Sequence, residues 1–217
     1  IVRLKILSGD AAVGSVPKEV RLVREKIKLE DGSAKKDILE FTNNGRSYKL
    51  GLITLPVFYR DFEGVRKGEG DFKSTSADVK KFLTELKAEK VDGVILDLRN
   101  NGGGSLVEAV SLTGLFIPQG PVVQRKHADG EISAEYDRDP SVTYDGPLGV
   151  LVNRFSASAS EIFAGAIQDY KRGIVVGEQT YGKGTVQTLV DLGRVLKGEP
   201  DNVGQLKITM EKFYRIT

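Results

Sequence analysis

The sequence has no cysteine, no tryptophan and a single histidine among its 217 residues. The absence of cysteine excludes disulfide bonds, thiolate metal sites and cysteine nucleophiles. The one histidine, His127, lies in a polar stretch typical of a turn, where we expect it to be solvated. A hydrolase built on a Ser-His-Asp triad would depend on this residue, so the sequence argues against that class of enzyme.

Long apolar runs are also absent, since no stretch approaches the roughly 20 residues that a membrane-spanning helix needs. No signal peptide is recognisable, and because the chain begins with Ile1 rather than Met we expect a fragment or a mature form. An excess of either charge is missing too, because 32 basic and 30 acidic residues leave a net charge of +2. This balance argues against a nucleic-acid surface and against a polybasic membrane-binding face.

The hydrophobic fraction of 40% is typical of a globular protein with one large domain, or one domain and a piece of another. Apolar runs of strand character alternate with segments of helical periodicity, a pattern that predicts an α/β fold with right-handed crossovers. We expect residues 60–74 to form an exposed loop, and residues 126–146 and 193–204 to be polar loops. The predicted strands are 2–6, 20–24, 48–55, 91–98, 148–152, 173–177, 183–190 and 206–214, and the predicted helices are 76–90, 105–117 and 158–171.

Two predicted strand-to-helix turns carry the residues of greatest chemical interest. The first is the glycine-rich turn Arg99–Gly104, and the second is the serine-rich turn Arg154–Ser158. In an α/β sheet, turns that follow the carboxyl ends of parallel strands lie at the same edge, where functional crevices form. We therefore expect the two turns to contribute to one site.

The serine turn offers three candidate nucleophiles, Ser156, Ser158 and Ser160. Ser158 also begins a Ser-x-x-Glu pattern with Glu161, which is typical of a helix capping box, and a serine there is more often a cap than a nucleophile. Acyl transfer would need two backbone N–H groups directed at the developing oxyanion. The residue after Ser158, Ala159, can supply one of them, and the glycine-rich turn can supply the other.

A serine nucleophile needs a base, and the lack of a suitable histidine leaves lysine, aspartate or glutamate. Lys183 lies between two glycines, which keep the backbone around it compact. A lysine acts as a base near neutral pH only where burial disfavours its charged form. Gln187 lies four residues further on, on the same face of a predicted strand, and its side-chain carbonyl can orient a lysine amine. The competing interpretation of Lys183 is an ordinary basic residue in a surface turn.

The stretch from Gly177 to Lys183 nearly forms a phosphate-binding loop. Gly184 stands where that motif needs serine or threonine, and the residues that follow favour a strand rather than a helix, so we expect no nucleotide binding. No group of acidic residues and histidine has metal-ligand spacing, and we expect no cofactor. Asp97, Arg99 and Asp169 are interpreted as structural ion pairs or as parts of a solvated face.

Four ordered blocks resemble the carboxy-terminal processing, or tail-specific, proteases, and their overall pattern resembles the Prc (Tsp) branch. The blocks are residues 93–104, 154–163, 175–178 and 182–187. The resemblance implies a serine endopeptidase with a ClpP/crotonase-like α/β core, a mixed sheet and flanking helices. It also implies a Ser-Lys dyad of Ser158 and Lys183 supported by Gln187, with the backbone N–H groups of Gly104 and Ala159 as oxyanion donors.

The same resemblance divides the chain into two parts. Residues 1–27 are expected to be the last strands of a PDZ domain, and residues 28–217 a protease core that is incomplete at its C-terminus. It implies protein or peptide substrates with apolar C-termini, an adaptor protein as a further partner and a periplasmic location. The alternative is a protein in which Ser158 only caps a helix, either a non-catalytic PDZ-linked scaffold or a crotonase-like acyl-binding protein.

Overall fold

The computed structural model describes residues 1–23, 32–68, 70, 72–194 and 203–217. Two compact units divide the chain, Ile1–Asp31 and Gly32–Thr217. In the first unit, β1 and β2 form an antiparallel ribbon in which Val2 pairs with Leu22. Two strands were predicted there, and the second begins two residues earlier than expected, at Lys18. The expected boundary after residue 27 falls outside the described residues.

The second unit contains a five-stranded sheet in the order β3-β4-β5-β8-β9. Only the β3–β4 pairing is antiparallel, and the other three pairs are parallel. A four-stranded antiparallel sheet has the order β10-β11-β6-β7. The strands are Val2–Ile6 (β1), Lys18–Leu22 (β2), Lys35–Asn43 (β3), Arg46–Thr54 (β4), Gly93–Asp97 (β5), Gly120–His127 (β6), Ile132–Asp137 (β7), Leu148–Val152 (β8), Ile174–Gly177 (β9), Thr185–Asp191 (β10) and Gln205–Tyr214 (β11). The helices are Phe62–Lys67 (α1), Thr75–Ala88 (α2), Leu106–Gly114 (α3) and Ala159–Asp169 (α4), and Leu192–Arg194 is a 3-10 turn.

The hydrophobic core of the second unit lies between the central parallel strands and their crossover helices. Leu96 on β5 and Val150 on β8 are fully buried, and so are Leu86 on α2, Leu112 on α3 and Phe163 on α4. Burying a side chain of this size stabilises the fold by about 1.5–3 kcal/mol. The mixed α/β architecture predicted from the alternating pattern is therefore confirmed. The core also holds helices α3 and α4 in place, which begin at the glycine-rich turn and the serine-rich turn.

Each crossover helix begins at a serine that caps it or precedes it. The Ser74 side chain accepts a hydrogen bond from the N–H of Ala77 and so caps α2. Ser105 caps α3 by accepting from the N–H of Glu108. In both cases the hydroxyl satisfies a backbone donor that has no partner within the helix.

Three segments differ from their predicted structure. Residues 60–74 are not simply a loop, because Phe62–Lys67 forms a short helix between the cap Asp61 and the left-handed Gly68. The polar stretch 126–146 contains a strand, Ile132–Asp137, which pairs with β6.

The third difference is the hairpin β3–β4, whose first strand was not predicted. Asn44 and Gly45 turn the chain with φ angles of 50° and 75°. Two consecutive positive φ angles are typical of the Asn-Gly hairpin turn.

Part of the predicted loop at 193–204 lies outside the described residues, which end at residue 194 and resume at residue 203.

Candidate active site

The two turns expected to share a site do lie at one edge of the sheet. Strands β5 and β8 are parallel neighbours in which Asp97 pairs with Leu151, so both chains leave the sheet at the same end. Two hydrogen bonds between Asn100 and Asn153 join the turns. The backbone N–H of Asn100 donates to Asn153 Oδ1 at 2.9 Å, and Asn153 Nδ2 donates to Asn100 Oδ1 at 2.9 Å.

The three serines of the second turn differ in what their hydroxyls do. Ser156 is fully buried, donates to the carbonyl of Leu98 at 2.8 Å and accepts from the N–H of Asn153 at 2.9 Å. Ser160 is also fully buried and donates to the carbonyl of Asn101 at 2.9 Å. Ser158 alone among the three is partly exposed. The geometry therefore separates one accessible hydroxyl from two structural ones.

Ser158 occupies a backbone conformation that is rare for a residue with a side chain. Its φ is 56° and its ψ is −113°, at the sharp turn from β8 into α4. Such a conformation costs about 1–3 kcal/mol and persists only where the surroundings enforce it. The N–H of Glu161 donates to the Ser158 carbonyl at 2.9 Å, and the N–H of Ser158 donates to Glu161 Oε2 at 2.7 Å. One half of the predicted capping box, in which the Glu161 carboxylate accepts from the serine backbone N–H, is therefore formed.

The glycine-rich turn lies directly against this serine. Gly103 has a φ of 101°, and a Cβ placed on it would lie 2.8 Å from Ser158 Cβ and 3.0 Å from the nitrogen of Ala159. Gly104 has a φ of 140°, and a Cβ there would lie 2.3 Å from the carbonyl oxygen of Phe58. Side chains are excluded at both positions, and Gly104 is exposed beside the serine turn.

Glu161 also connects the serine turn to the segment that carries Lys183. Its Oε2 atom accepts from the N–H of Ser158 at 2.7 Å and from the N–H of Lys183 at 2.9 Å. Its Oε1 atom accepts from the N–H of Gly182 at 2.6 Å and from the hydroxyl of Thr180 at 2.8 Å. One carboxylate therefore holds the backbones of the two proposed dyad residues close to each other.

The side chains of the predicted dyad are not hydrogen-bonded to each other in the described structure. Among the residues that the structure describes, no hydrogen bond joins the ammonium group of Lys183, which is partly buried, to the hydroxyl of Ser158. Gln187 is exposed, and its Nε2 lies 3.5 Å from Thr209 Oγ1 on the neighbouring strand. The structure thus brings Ser158, Ala159 and the glycine turn together and places the Lys183 backbone beside them. The orientation of the Gln187 carbonyl stays a prediction.

His127 is not the solvated loop residue that was expected. It ends strand β6, where its Nδ1 lies 2.9 Å from Glu211 Oε1 and its Nε2 lies 3.0 Å from Ser133 Oγ. Both ring nitrogens are therefore occupied within the four-stranded sheet, which leaves the imidazole without a free nitrogen for the serine turn.

The acidic residues near the site form ion pairs, as one of the two interpretations predicted. Burial opposes the ionisation of Asp97, but hydrogen bonds from the Arg99 side chain and backbone outweigh it and hold the pKa of Asp97 below its ordinary value. The side chain of Asp169 at the end of α4 is likewise buried, which raises its pKa, but its pairing with Arg215 and Thr217 outweighs this and lowers the pKa below its ordinary value. Both carboxylates are therefore charged structural groups rather than candidate proton acceptors.

Two positioning residues were not identified as such from the sequence. Asn101 is fully buried and its carbonyl accepts two hydrogen bonds from the serine turn, and Glu161 was considered only as part of a cap. The Ser-x-x-Glu spacing did indicate that the carboxylate faces the serine backbone. No sequence signal reveals that the same carboxylate also binds the Lys183 segment.

Comparison with known proteins assigns the chain to a family. The model of peptidase family S41 matches residues 49–217. The tail-specific protease of Haemophilus influenzae is 43% identical over 216 residues, covering 99% of this chain and 28% of that protein. The carboxyl-terminal-processing protease of Synechocystis is 36% identical over 191 residues, covering 88% of this chain and 40% of that protein.

A solved structure supports the same assignment. The photosystem II D1 C-terminal processing protease superposes with a TM-score of 0.67 and 28% sequence identity, covering 92% of this chain and 47% of that one. The chain spans less than half the length of each of these relatives. The predicted protease-like α/β fold is thereby confirmed, and the chain belongs to peptidase family S41.

Proposed function

We propose that this chain is the catalytic core of a serine endopeptidase in which Ser158 is the nucleophile and Lys183 the general base. The observation that carries the proposal is the contrast within the serine turn. The hydroxyls of Ser156 and Ser160 are buried and hydrogen-bonded, whereas Ser158 is partly exposed on a strained turn. The Glu161 carboxylate, shared by the backbones of Ser158 and Lys183, supports pairing of these two residues.

The proposed reaction follows from the chemistry of these groups. A neutral Lys183 amine accepts the hydroxyl proton as Ser158 Oγ attacks the scissile carbonyl carbon, and the resulting ammonium group returns that proton to the leaving amine. The N–H groups of Gly104 and Ala159 stabilise the oxyanion of the tetrahedral intermediate. The Gln187 side chain orients the lysine amine. Water then hydrolyses the acyl-enzyme, with Lys183 again acting as base.

A cleft of about 620 Å³ lies beside helix α4, and although Ser158 is not among its lining residues, we propose that it holds part of a peptide substrate. It is lined by apolar residues such as Val122, Ile162 and Phe213, and Glu161 and Lys183 border it. Two relatives carry the names "Tail-specific protease" and "Carboxyl-terminal-processing protease". We propose accordingly that the substrates are proteins recognised through apolar C-terminal tails.

The remaining proposals concern the whole protein. The antiparallel ribbon in residues 1–23 supports the interpretation of residues 1–27 as the end of a PDZ domain, which would capture a substrate tail by strand addition. Residues 28–217 would form the protease core. An adaptor protein and a periplasmic location are proposed from the family resemblance. No helix in the described part of the chain is long and apolar enough to cross a membrane.

The first test is cleavage of a fluorogenic peptide with an apolar C-terminus by the full-length protein. We expect Ser158→Ala and Lys183→Ala each to lower kcat/KM by more than about 10³-fold while the circular dichroism spectrum stays unchanged, because each removes a reacting group. The control is Lys171→Ala, a change of an exposed lysine at the end of α4, which should retain activity.

The same measurement distinguishes the proposed function from its alternative. Cleavage that persists in Ser158→Ala would contradict the proposal. A wild-type protein without cleavage that still binds the peptide tail would favour a non-catalytic scaffold in which Ser158 only begins helix α4.

A further inference from the structure

Asn101 is a fully buried polar residue in the glycine-rich turn between β5 and α3. Its Nδ2 donates to the carbonyl of Leu55, just after strand β4, at 2.8 Å. Its Oδ1 accepts from the N–H of Gly103 at 2.9 Å. Both ends of the side-chain amide are therefore used, and an unsatisfied buried amide would be costly, so the side chain has one favourable orientation.

The backbone carbonyl of Asn101 contacts the serine turn on both sides of the proposed nucleophile. It accepts from the N–H of Ala157 at 3.0 Å and from the hydroxyl of Ser160 at 2.9 Å. Ser158 lies between these two donors. The strained conformation of Ser158 is thus bracketed by two hydrogen bonds to a single oxygen atom of the neighbouring turn.

Gly103 connects the Asn101 side chain to the rest of the glycine turn through its own backbone hydrogen bonds. Its N–H is bound by Asn101, and its carbonyl accepts from the N–H of Phe58 at 2.9 Å. Gly103 therefore has no free N–H for a substrate oxyanion, whereas Gly104 is the next residue and is exposed. Because a Cβ on Gly103 would clash with the serine turn, the two turns are in direct contact at this point.

We propose that Asn101 is a positioning residue that sets the distance between Ser158 and the oxyanion donor of the glycine turn, the N–H of Gly104. The proposal rests on the proposed function and concerns the same site. Asn101 itself is buried and does not reach the substrate. It holds the serine turn through its backbone carbonyl and the glycine turn through its side-chain oxygen, so that nucleophile and oxyanion donors move as one unit.

The test separates binding of the transition state from binding of the substrate. In the full-length protein, Asn101→Ala should lower kcat about 10- to 100-fold and leave KM within about threefold, because misplacement of an oxyanion donor affects only the transition state. A peptide boronate forms a tetrahedral adduct with the nucleophile. Its Ki should rise in parallel with the loss of kcat/KM.

A milder variant covers the case in which Asn101→Ala does not fold. Ser160→Ala removes only the hydroxyl that donates to the Asn101 carbonyl, and kcat should fall about 3- to 10-fold, as expected for the loss of one hydrogen bond. The matched control is Thr113→Val, which removes a buried hydroxyl that donates to the Ala109 carbonyl within α3. It should lower the unfolding free energy similarly and leave kcat and the boronate Ki unchanged.

Two results would overturn the positioning role. One is a kcat within twofold of wild type in both Asn101→Ala and Ser160→Ala. The other is a loss that Thr113→Val reproduces, which would mean that stability alone is affected. Either result would leave the proposed function intact if Ser158→Ala is inactive, so the two proposals fail separately.

Discussion

Glu161 is the residue through which the proposed nucleophile and the proposed base are held together. Its two oxygen atoms accept four hydrogen bonds, from Ser158, Thr180, Gly182 and Lys183. Every donor is a backbone N–H or a neutral hydroxyl, and no cation among the described residues forms an ion pair with this carboxylate. Its position in the first turn of α4 adds the favourable field of the helix N-terminus. We infer that Glu161 orders the lysine segment without itself reacting.

Glu161→Gln should therefore lower kcat about 10- to 100-fold. The substitution replaces one carboxylate oxygen by an amide NH2 group, which cannot accept hydrogen bonds, so the lysine segment shifts. The measurement is steady-state cleavage by the full-length protein, with the pH profile of kcat recorded for each variant. The control is Glu131→Gln, a change of an exposed glutamate between β6 and β7. Equal losses in the two variants would mean that removal of charge, rather than position, accounts for the effect.

At the level of single residues, the sequence indicates candidate reactive groups more readily than it indicates the residues that support them. Ser158, Lys183 and the glycine turn are marked by local pattern and by family resemblance. Asn101 has no such mark, because Asn100 and Asn101 are adjacent turn-type residues in sequence. Only the folded turn makes one exposed and the other fully buried. Burial of that kind depends on contacts with distant segments, which a local pattern does not contain.

At the level of elements, helix α3 is joined to the segment before α2 through the buried carboxylate of Glu108. Arg60 Nη1 lies 2.7 Å from Glu108 Oε1, and the hydroxyls of Ser74 and Ser76 and the N–H of Ser76 donate to the same carboxylate. Because α3 begins at the glycine turn, this cluster fixes the helix that leads away from the site. The carboxylate is fully buried, whereas the arginine side chain is partly exposed.

Removing one partner of this buried pair should be more damaging than removing both. We expect Glu108→Ala to lower the free energy of unfolding by about 3–5 kcal/mol, because it leaves Arg60 and the serine hydroxyls without their acceptor. The double variant Arg60→Met with Glu108→Met should cost less than Glu108→Met alone, and less than the sum of the two single changes Arg60→Met and Glu108→Met. Urea unfolding of the wild type, these two single variants and the double variant measures the coupling, and Glu108→Ala is measured beside them. Strictly additive losses would show that Arg60 and Glu108 are not coupled.

Elements with a strong apolar pattern were predicted well, and those without it were missed. The strand at residues 148–152 agrees at both ends, whereas the strand at residues 132–137 was hidden within a charged stretch. That strand lies at the edge of its sheet, where a pattern of buried residues is weak. The hairpin at Asn44-Gly45 was detectable, since this dipeptide between two strands is a turn signal that was not used.

At the level of the whole molecule, two ion pairs make the free energy of unfolding depend on pH. The pKa of Asp97 and the pKa of Asp169 both lie below their ordinary values because Arg99 and Arg215, respectively, outweigh the effect of burial. A carboxyl group with a lowered folded-state pKa stabilises the protein above the unfolded-state value of 3.8. That contribution is lost as the pH falls through the folded-state pKa.

The free energy of unfolding should consequently fall between about pH 5 and about pH 2, since the unfolded chain binds more protons in this range. Asp97→Asn and Asp169→Asn should each be less stable at neutral pH and should each show a shallower decline. Urea unfolding at a series of pH values measures the slope, with Asp145→Asn, a change of an exposed aspartate, as the control. An unchanged slope in both variants would exclude these pairs as the source.

The hydrogen bonds between the two turns have a consequence for the order of events during folding. The hydroxyl of Ser160 and the carbonyl of Asn101 are 59 residues apart in the chain, and that of Ser156 is 58 residues from its acceptor, Leu98. Contacts of this separation form only after the intervening loop has closed, which delays them relative to local helices. The strained serine conformation therefore depends on completed pairing of parallel strands, and a nascent or partly folded chain would have no competent nucleophile. The proposed nucleophile would therefore take up its reactive conformation only once the sheet is complete.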